Sequence, residues 1–357
     1  MLVNIQFLRF AAAMLVVVYH SSSHLRAAGV DQGIFFAVSE AIGFAGVDIF
    51  FVISGFIMAY TTPRSSGLSD SWQFMRRRIA RIYSGYWPFF LMALALFSWI
   101  NPALVESSGL MSSAILWPAN QLLIAVSWTL VFEMFFYLLF SVLILGPTQH
   151  RTLILKTLMA LVVAWSVYSQ FVLHAYDPGH LETMSPAEYY MLSPYLAEFL
   201  AGALLATRLD KITLKPGWAL LFAGIALFLL GGWLNNRFFD GQIEQGYFVF
   251  YRVLAFGTPS LLILLGLIHL EGSGFRAPLK FSLLAGGASY AIYLSHTLLL
   301  SLSQYLGFNH FAGSLGATNA RWLFLAYAVL ILILSIVHYR LLEKPLHRLF
   351  KKLLKIQ

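Results

Sequence analysis

The sequence predicts an all-α fold: a polytopic membrane helix bundle of about ten transmembrane helices with both termini cytoplasmic. Three observations carry that expectation: the composition, the lengths of the apolar runs, and the placement of Lys and Arg. The chain is 59% hydrophobic and only 11% charged, whereas a soluble domain carries about 25% charged residues. It has 31 Phe, an aromatic share of 16% and no cysteine, so disulfides and thiolate metal sites do not enter the argument.

Apolar runs near the ~17–25 residues needed to cross a bilayer occur at about 4–22, 34–60, 79–100, 114–145, 153–176, 191–207, 217–234, 247–270, 281–307 and 321–342. The run at 114–145 is overlong, and its start around Trp117-Pro118 reads as re-entrant or interfacial. With a cytoplasmic N-terminus, the inside segments 61–81, 146–156, 207–217, 271–281 and 343–357 hold 17 of the 23 Lys and Arg. The outside segments hold only Arg26, Arg237 and Arg321. That asymmetry follows the positive-inside rule and accounts for the net charge of +8 without a nucleic-acid surface.

The first thirty residues, ending in Ala27-Ala28-Gly29, have the look of a signal peptide. Arg9 sits where an uncleaved first span would carry a functional residue, so we expect no cleavage. No internal repeat of the transporter kind is visible. The chain divides into a membrane domain, 1–342, and a basic cytoplasmic tail, 343–357, which reads as an amphipathic helix on an anionic leaflet.

Within the spans, ionisable side chains are rare and expensive, and each is a functional candidate. In LRFAAAMLVVVYH ten residues separate Arg9 from His20. Eleven helical steps of about 100° return to within ~20° of the start and rise ~16 Å, so the two share a face at different depths. His20 is a candidate general base or an interfacial histidine bonded to a carbonyl. Arg9 binds an anion or snorkels. Asp48, in GVDIFFVISGF, lies mid-span and needs a cation, for which Arg9 or His20 is the natural choice; it either orients the base or balances charge. Glu133 lies mid-span in SWTLVFEMFFYLLF, with Tyr137 four positions on and on the same face. Glu198 and Arg252 are candidates for a structural ion pair. Glu40 reads as interfacial, and His269 is a weak candidate. His296, in SYAIYLSHTLLL, is a span histidine one turn from Tyr293, either functional or hydrogen-bonded filler.

At the entrance of the third span, FMRRRIARIYSGYW supplies Arg76, Arg77, Arg78 and Arg81. Arg76 and Arg77 read as flanking positive charge. Arg78 and Arg81 are three apart on one face and can clamp a phosphate or pyrophosphate. There is no Walker loop, no G-x-S-x-G elbow and no zinc-ligand spacing, and Gly272–Ala277 matches a dinucleotide fingerprint only by chance.

Taken together, LRFAAAMLVVVYH, GVDIFFVISGFIMAY, RRRIARIYSGYW, SWTLVFEMFFY, SYAIYLSH and EKPLHR make the chain resemble the membrane acyltransferase-3 family, integral-membrane O-acyltransferases that modify bacterial surface carbohydrates. The resemblance runs nearly end to end, although Ser84 stands where the family often has proline. It implies acyl-CoA, most often acetyl-CoA, as a cytoplasmic co-substrate, no metal, and a sugar hydroxyl at the periplasmic face as acceptor. It implies a multi-pass protein of the bacterial inner membrane, beside possible polysaccharide assembly machinery. By the same resemblance, His20, Arg9, Asp48 and Glu133 form the expected catalytic set, and Arg78, Arg81, Arg77 and His296 the expected donor-binding set. Exopolysaccharide, O-antigen and lipid-linked oligosaccharide acceptors all fit. A transporter or flippase of a polysaccharide precursor is the alternative, since intramembrane charges also line transport paths.

Overall fold

In a bilayer every backbone amide must be satisfied within the chain, which leaves helices as the economical solution for apolar runs of this length. The computed structural model describes residues 2–209 and 216–356, and among these there is no strand. Helix α1 (Val3–Ala27) is continuous through both Arg9 and His20. Its first backbone amides, Val3 N and Asn4 N, donate to the Glu271 carboxylate at 2.8 Å each, so an acid caps the positive end of the helix. The next apolar stretch is α2 (Gly33–Ile42) and α3 (Gly46–Thr61), joined by a 3-10 turn at Gly43–Ala45. Helix α4 (Leu68–Ile100) starts well before the expected residue 79, so the arginine cluster lies inside a helix.

The overlong run at 114–145 is divided. A short helix at Leu110–Ile115 ends on Leu116 in the left-handed region, and residues 116–124 form no helix before α5 (Trp128–Leu145) begins. Ser113 holds this segment: its Oγ accepts from Leu123 N at 2.9 Å, and its carbonyl accepts from Tyr86 Oη at 2.7 Å. Next come α6 (Thr148–Phe171), α7 (Tyr195–Arg208) and α8 (Gly217–Phe238). Residues 249–272 pass from a helical turn through a π-helical turn at Val253–Gly257 into α9 (Thr258–Gly272). Helices α10 (Leu279–Gly287) and α11 (Ser289–Tyr305) meet at a 52° bend. Helix α12 (Ala317–His338) runs through a second π-helical turn, Tyr339–Glu343, into the tail helix α13 (Lys344–Leu353).

Among the described residues eight helices are long and apolar enough to cross a membrane, and a ninth if the bent pair α10–α11 counts as one span. The tenth expected span, 191–207, corresponds to α7, whose 14 residues rise ~21 Å and fall below the length of the other spans. Helix α7 packs along α3, and the two backbones nearly touch: a Cβ at Gly55 would lie 1.9 Å from Phe199 O, and one at Gly202 would lie 2.0 Å from Val52 O. Small residues allow this approach, and dispersion over the close-packed faces holds it. Helix α1 runs through the centre, against α3, α10 and α11, while α13 folds back on α4. Apolar side chains such as Leu161, Phe222 and Ile333 are exposed on the perimeter, as lipid-facing positions are.

Candidate active site

The central helix sets two stations at different depths, as the Arg-x10-His spacing predicts. At one, Arg9 of α1, Arg78 and Arg81 of α4, Glu133 and Tyr137 of α5, and Tyr290 and Tyr293 of α11 line a cavity of about 150 Å³. The Arg78 guanidinium lies 5.0 Å from the Phe74 ring centre and 5.5 Å from that of Tyr137. Such cation–π contacts hold the group without neutralising it. Arg81 is different. It is ion-paired to Glu343, a fully buried carboxylate delivered by the π-helical turn before α13. The expected arginine pair is therefore one ion-paired and one acid-free guanidinium. Glu133 accepts from the Tyr137 hydroxyl, as their shared face predicts, and from Ser54 Oγ at 3.4 Å. Arg77 is exposed and does not line the cavity.

At the second station His20 faces His296 of α11, with His20 Nδ1 3.2 Å from His296 Nε2 and the ring centres 4.8 Å apart. His20 Nδ1 also lies 3.0 Å from the Val16 carbonyl oxygen. In the tautomer that donates Nδ1–H to this carbonyl, Nε2 keeps the lone pair, with no carboxylate involved. His296, expected with the arginines, stands instead beside the candidate base. Tyr293 links the stations. It lines the arginine cavity, its ring is 5.8 Å from that of His296, and its hydroxyl donates to Val126 O at 3.0 Å and accepts from Thr129 Oγ1 at 3.1 Å. His20 itself does not line the cavity.

Asp48 belongs to neither station. The expected partners were Arg9 or His20. Asp48 is instead fully buried against Arg252, which donates to it from Nη2 at 2.8 Å and from Nε at 3.1 and 3.2 Å. The reason is tertiary. The π-helical turn after Arg252 sets that side chain across α3, where it also donates to Phe44 O at 3.1 Å. Such a bidentate guanidinium–carboxylate pair is the strong form of the interaction. Arg252 thus pairs with Asp48 instead of the expected Glu198, whose two buried carboxylate oxygens have no hydrogen-bond partner among the described residues. Glu40 pairs with Arg26.

The acyltransferase domain family matches residues 2–340. The chain belongs to this family. It is 31% identical over 323 residues to the exopolysaccharide production protein ExoZ of Rhizobium meliloti, covering 86% of this chain and 90% of that one. It is also 25% identical over 366 residues to the acyltransferase MdmB of Streptomyces mycarofaciens, covering 96% and 90%. No solved structure matches it. The acyltransferase's two stations are thus an arginine-lined cavity and a histidine pair, with Tyr293 between them. No group of three or more His, Asp or Glu among the described residues is arranged to hold a metal ion.

Sequence reasoning did not single out Glu343 or Tyr290 as site residues. EKPLHR marked the neighbourhood of Glu343, but a glutamate at the end of the last span carries no signal that it folds back onto α4. Tyr290 sits at the bend between α10 and α11, three residues before Tyr293 and so on the same face.

Proposed function

We propose that this acyltransferase moves an acyl group, most simply acetyl, from cytoplasmic acyl-CoA to a hydroxyl of a bacterial surface polysaccharide or its lipid-linked precursor, with His20 as general base. The observation that carries the reading is an imidazole bonded through Nδ1 to the Val16 carbonyl, one tyrosine away from a cavity lined by three guanidiniums. The name of ExoZ supports a polysaccharide acceptor. The Lys and Arg asymmetry supports an orientation with both termini, the basic tail and the arginine mouth on the cytoplasmic side of the inner membrane.

The cavity's size decides how the donor sits. A volume near 150 Å³ holds a group of about the bulk of benzene. It therefore admits the acyl thioester end but not the nucleotide. The CoA phosphates stay at the mouth, where Arg78 and the exposed Arg77 meet them, and Glu343 yields part of Arg81 to the anion. Arg9 lies ~16 Å of helical rise from His20, so both cannot touch one carbonyl. Arg9 anchors the donor, and His20 does the proton chemistry. For the thioester to reach His20, the Tyr293 side chain must swing from its Val126 and Thr129 partners.

The step balances without a further reactant. The acceptor hydroxyl oxygen attacks the thioester carbonyl carbon while His20 Nε2 takes its proton. The tetrahedral adduct then expels the CoA thiolate, and the imidazolium returns the proton to sulfur. A transient acyl-histidine is the competing route.

The chain has no cysteine, so a thiol reagent reports only released CoA. Purified protein in nanodiscs should bind acetyl-CoA and release CoA slowly, and His20→Ala should cut acyl transfer by ~10²–10⁴-fold with melting behaviour retained. Full activity in that variant removes His20 from the chemistry. Substrate flux without CoA release favours a transporter instead.

A further inference from the structure

A second cavity, of about 670 Å³, begins on α11 at Thr297, the residue after His296, and its chemistry is unlike that of the first. Helix α11 orders the sequence of depths. Tyr290 stands near Arg81, Tyr293 lies between the stations and His296 faces His20. Thr297, Ser301 and Gln304, spaced as one helical face, then line the second cavity. From Tyr290 to Gln304 the rise is ~21 Å. Helix α5 repeats the order at its start: Thr129 lines the arginine cavity and Trp128 the second one.

The arginine cavity is lined by three cations and one acid, whereas no Asp, Glu, Lys, Arg or His lines the second. Its polar groups are the carboxamides of Asn101, Asn120, Gln121 and Gln304 with the Thr297 and Ser301 hydroxyls. Its apolar lining mixes aliphatic residues with four aromatics, Phe97, Trp128, Tyr190 and Tyr305, and Trp99 packs edge-on to Tyr305 at 5.2 Å. Carboxamides both donate and accept, which matches vicinal hydroxyls, and flat rings match the C–H faces of a pyranose. A uronic acid or other anionic sugar would be desolvated there with no cation to meet it. The volume is within the ~300–1,000 Å³ of ordinary ligand sites.

We propose that this second cavity is the acceptor subsite and that it takes an uncharged pyranoside, holding one hydroxyl towards His20 while the acyl donor enters from the arginine side. The assignment deepens the transferase reading and rests on it, so its test uses a readout that does not need the donor. The probes are methyl α-D-glucopyranoside, galactopyranoside and mannopyranoside, against methyl β-D-glucopyranosiduronate. Saturation-transfer NMR on the protein in nanodiscs, without acetyl-CoA, should show binding of at least one neutral glycoside and none of the glucuronide. The double variant Asn120→Ala with Gln304→Ala should raise the KM of that glycoside at least tenfold in CoA-release assays while the acetyl-CoA Kd stays as in the wild type. A second variant, Gln304→Arg, should shift preference towards the glucuronide. Glucuronide binding as strong as that of every neutral probe, or a glycoside KM indifferent to both variants, overturns the assignment. Loss of acetyl-CoA binding in the wild type, with neutral glycosides still bound, overturns the donor reading alone.

Discussion

An imidazole serves as a base only while one ring nitrogen keeps its lone pair, and at His20 a bond donated by Nδ1 to the Val16 carbonyl, four residues earlier on the same helix, would leave that lone pair on Nε2. That bond is local, so its possibility was legible in the spacing of α1. The identity of Asp48's partner was not, because 204 residues separate it from Arg252. Both carboxylates expected to steer His20, Asp48 and Glu133, are engaged elsewhere, one in a buried ion pair and one with Tyr137 and Ser54. Asp48 is thus structural in its contacts. Breaking a buried pair leaves one uncompensated charge at a cost of ~3–5 kcal/mol, whereas replacing both partners with apolar groups is often neutral. Asp48→Asn should therefore lower the melting temperature of the purified protein clearly, and Asp48→Leu with Arg252→Met should restore much of it. Equal loss in the single and double variants would show that Arg252 has another buried acceptor of comparable weight, with Glu198 the nearest choice.

At the scale of elements, hydropathy located the helices, and geometry then modified two of them. Helix α4 extends further than its apolar run because RRRIAR is a good helical sequence whose charges have a cavity and an entrance to face. Helix α7, 14 residues long, lies along α3 at glycine-to-backbone distance. That contact predicts a sharp outcome. Gly202→Val should abolish accumulation of folded protein in the membrane fraction, since even its Cβ would lie 2.0 Å from Val52 O. Gly179→Ala, where a Cβ meets nothing within 4 Å, should accumulate normally. The resemblance quoted FFVISGF as a motif, which contains Gly55; only the packed structure explains the glycine. The tail behaves similarly. Its basic, amphipathic character is plain in KPLHRLFKKL, but its docking on α4, with Phe350 edge-on to Trp87 at 5.8 Å, accompanies the ion pair of Glu343 with Arg81.

For the whole molecule, the arrangement is a sequence of depths along α1 and α11: guanidiniums, a tyrosine, two imidazoles and then a neutral amide-lined chamber. The direction we propose for it across the membrane rests on charge placement, and the cysteine-free chain makes that directly measurable. A single cysteine introduced at Ser69, beside the arginine entrance, should react with a membrane-impermeant maleimide only from the cytoplasmic side. One at Thr183, in the expected outside segment, should react only from the periplasmic side. The reverse pattern would invert the donor and acceptor faces.

By itself the sequence determined the class of the fold, the family, the alignment of Arg9 with His20 and the Glu133–Tyr137 pair, because periodicity, hydropathy and i, i+4 neighbours are properties of local chain geometry. Only the tertiary structure decided that Asp48 turns to Arg252, that Glu343 claims Arg81, that His296 meets His20 and that α7 packs on α3 through Gly55 and Gly202. Each of those depends on which faces of distant helices come into contact, and side chains hundreds of residues apart leave no spacing in the sequence to read.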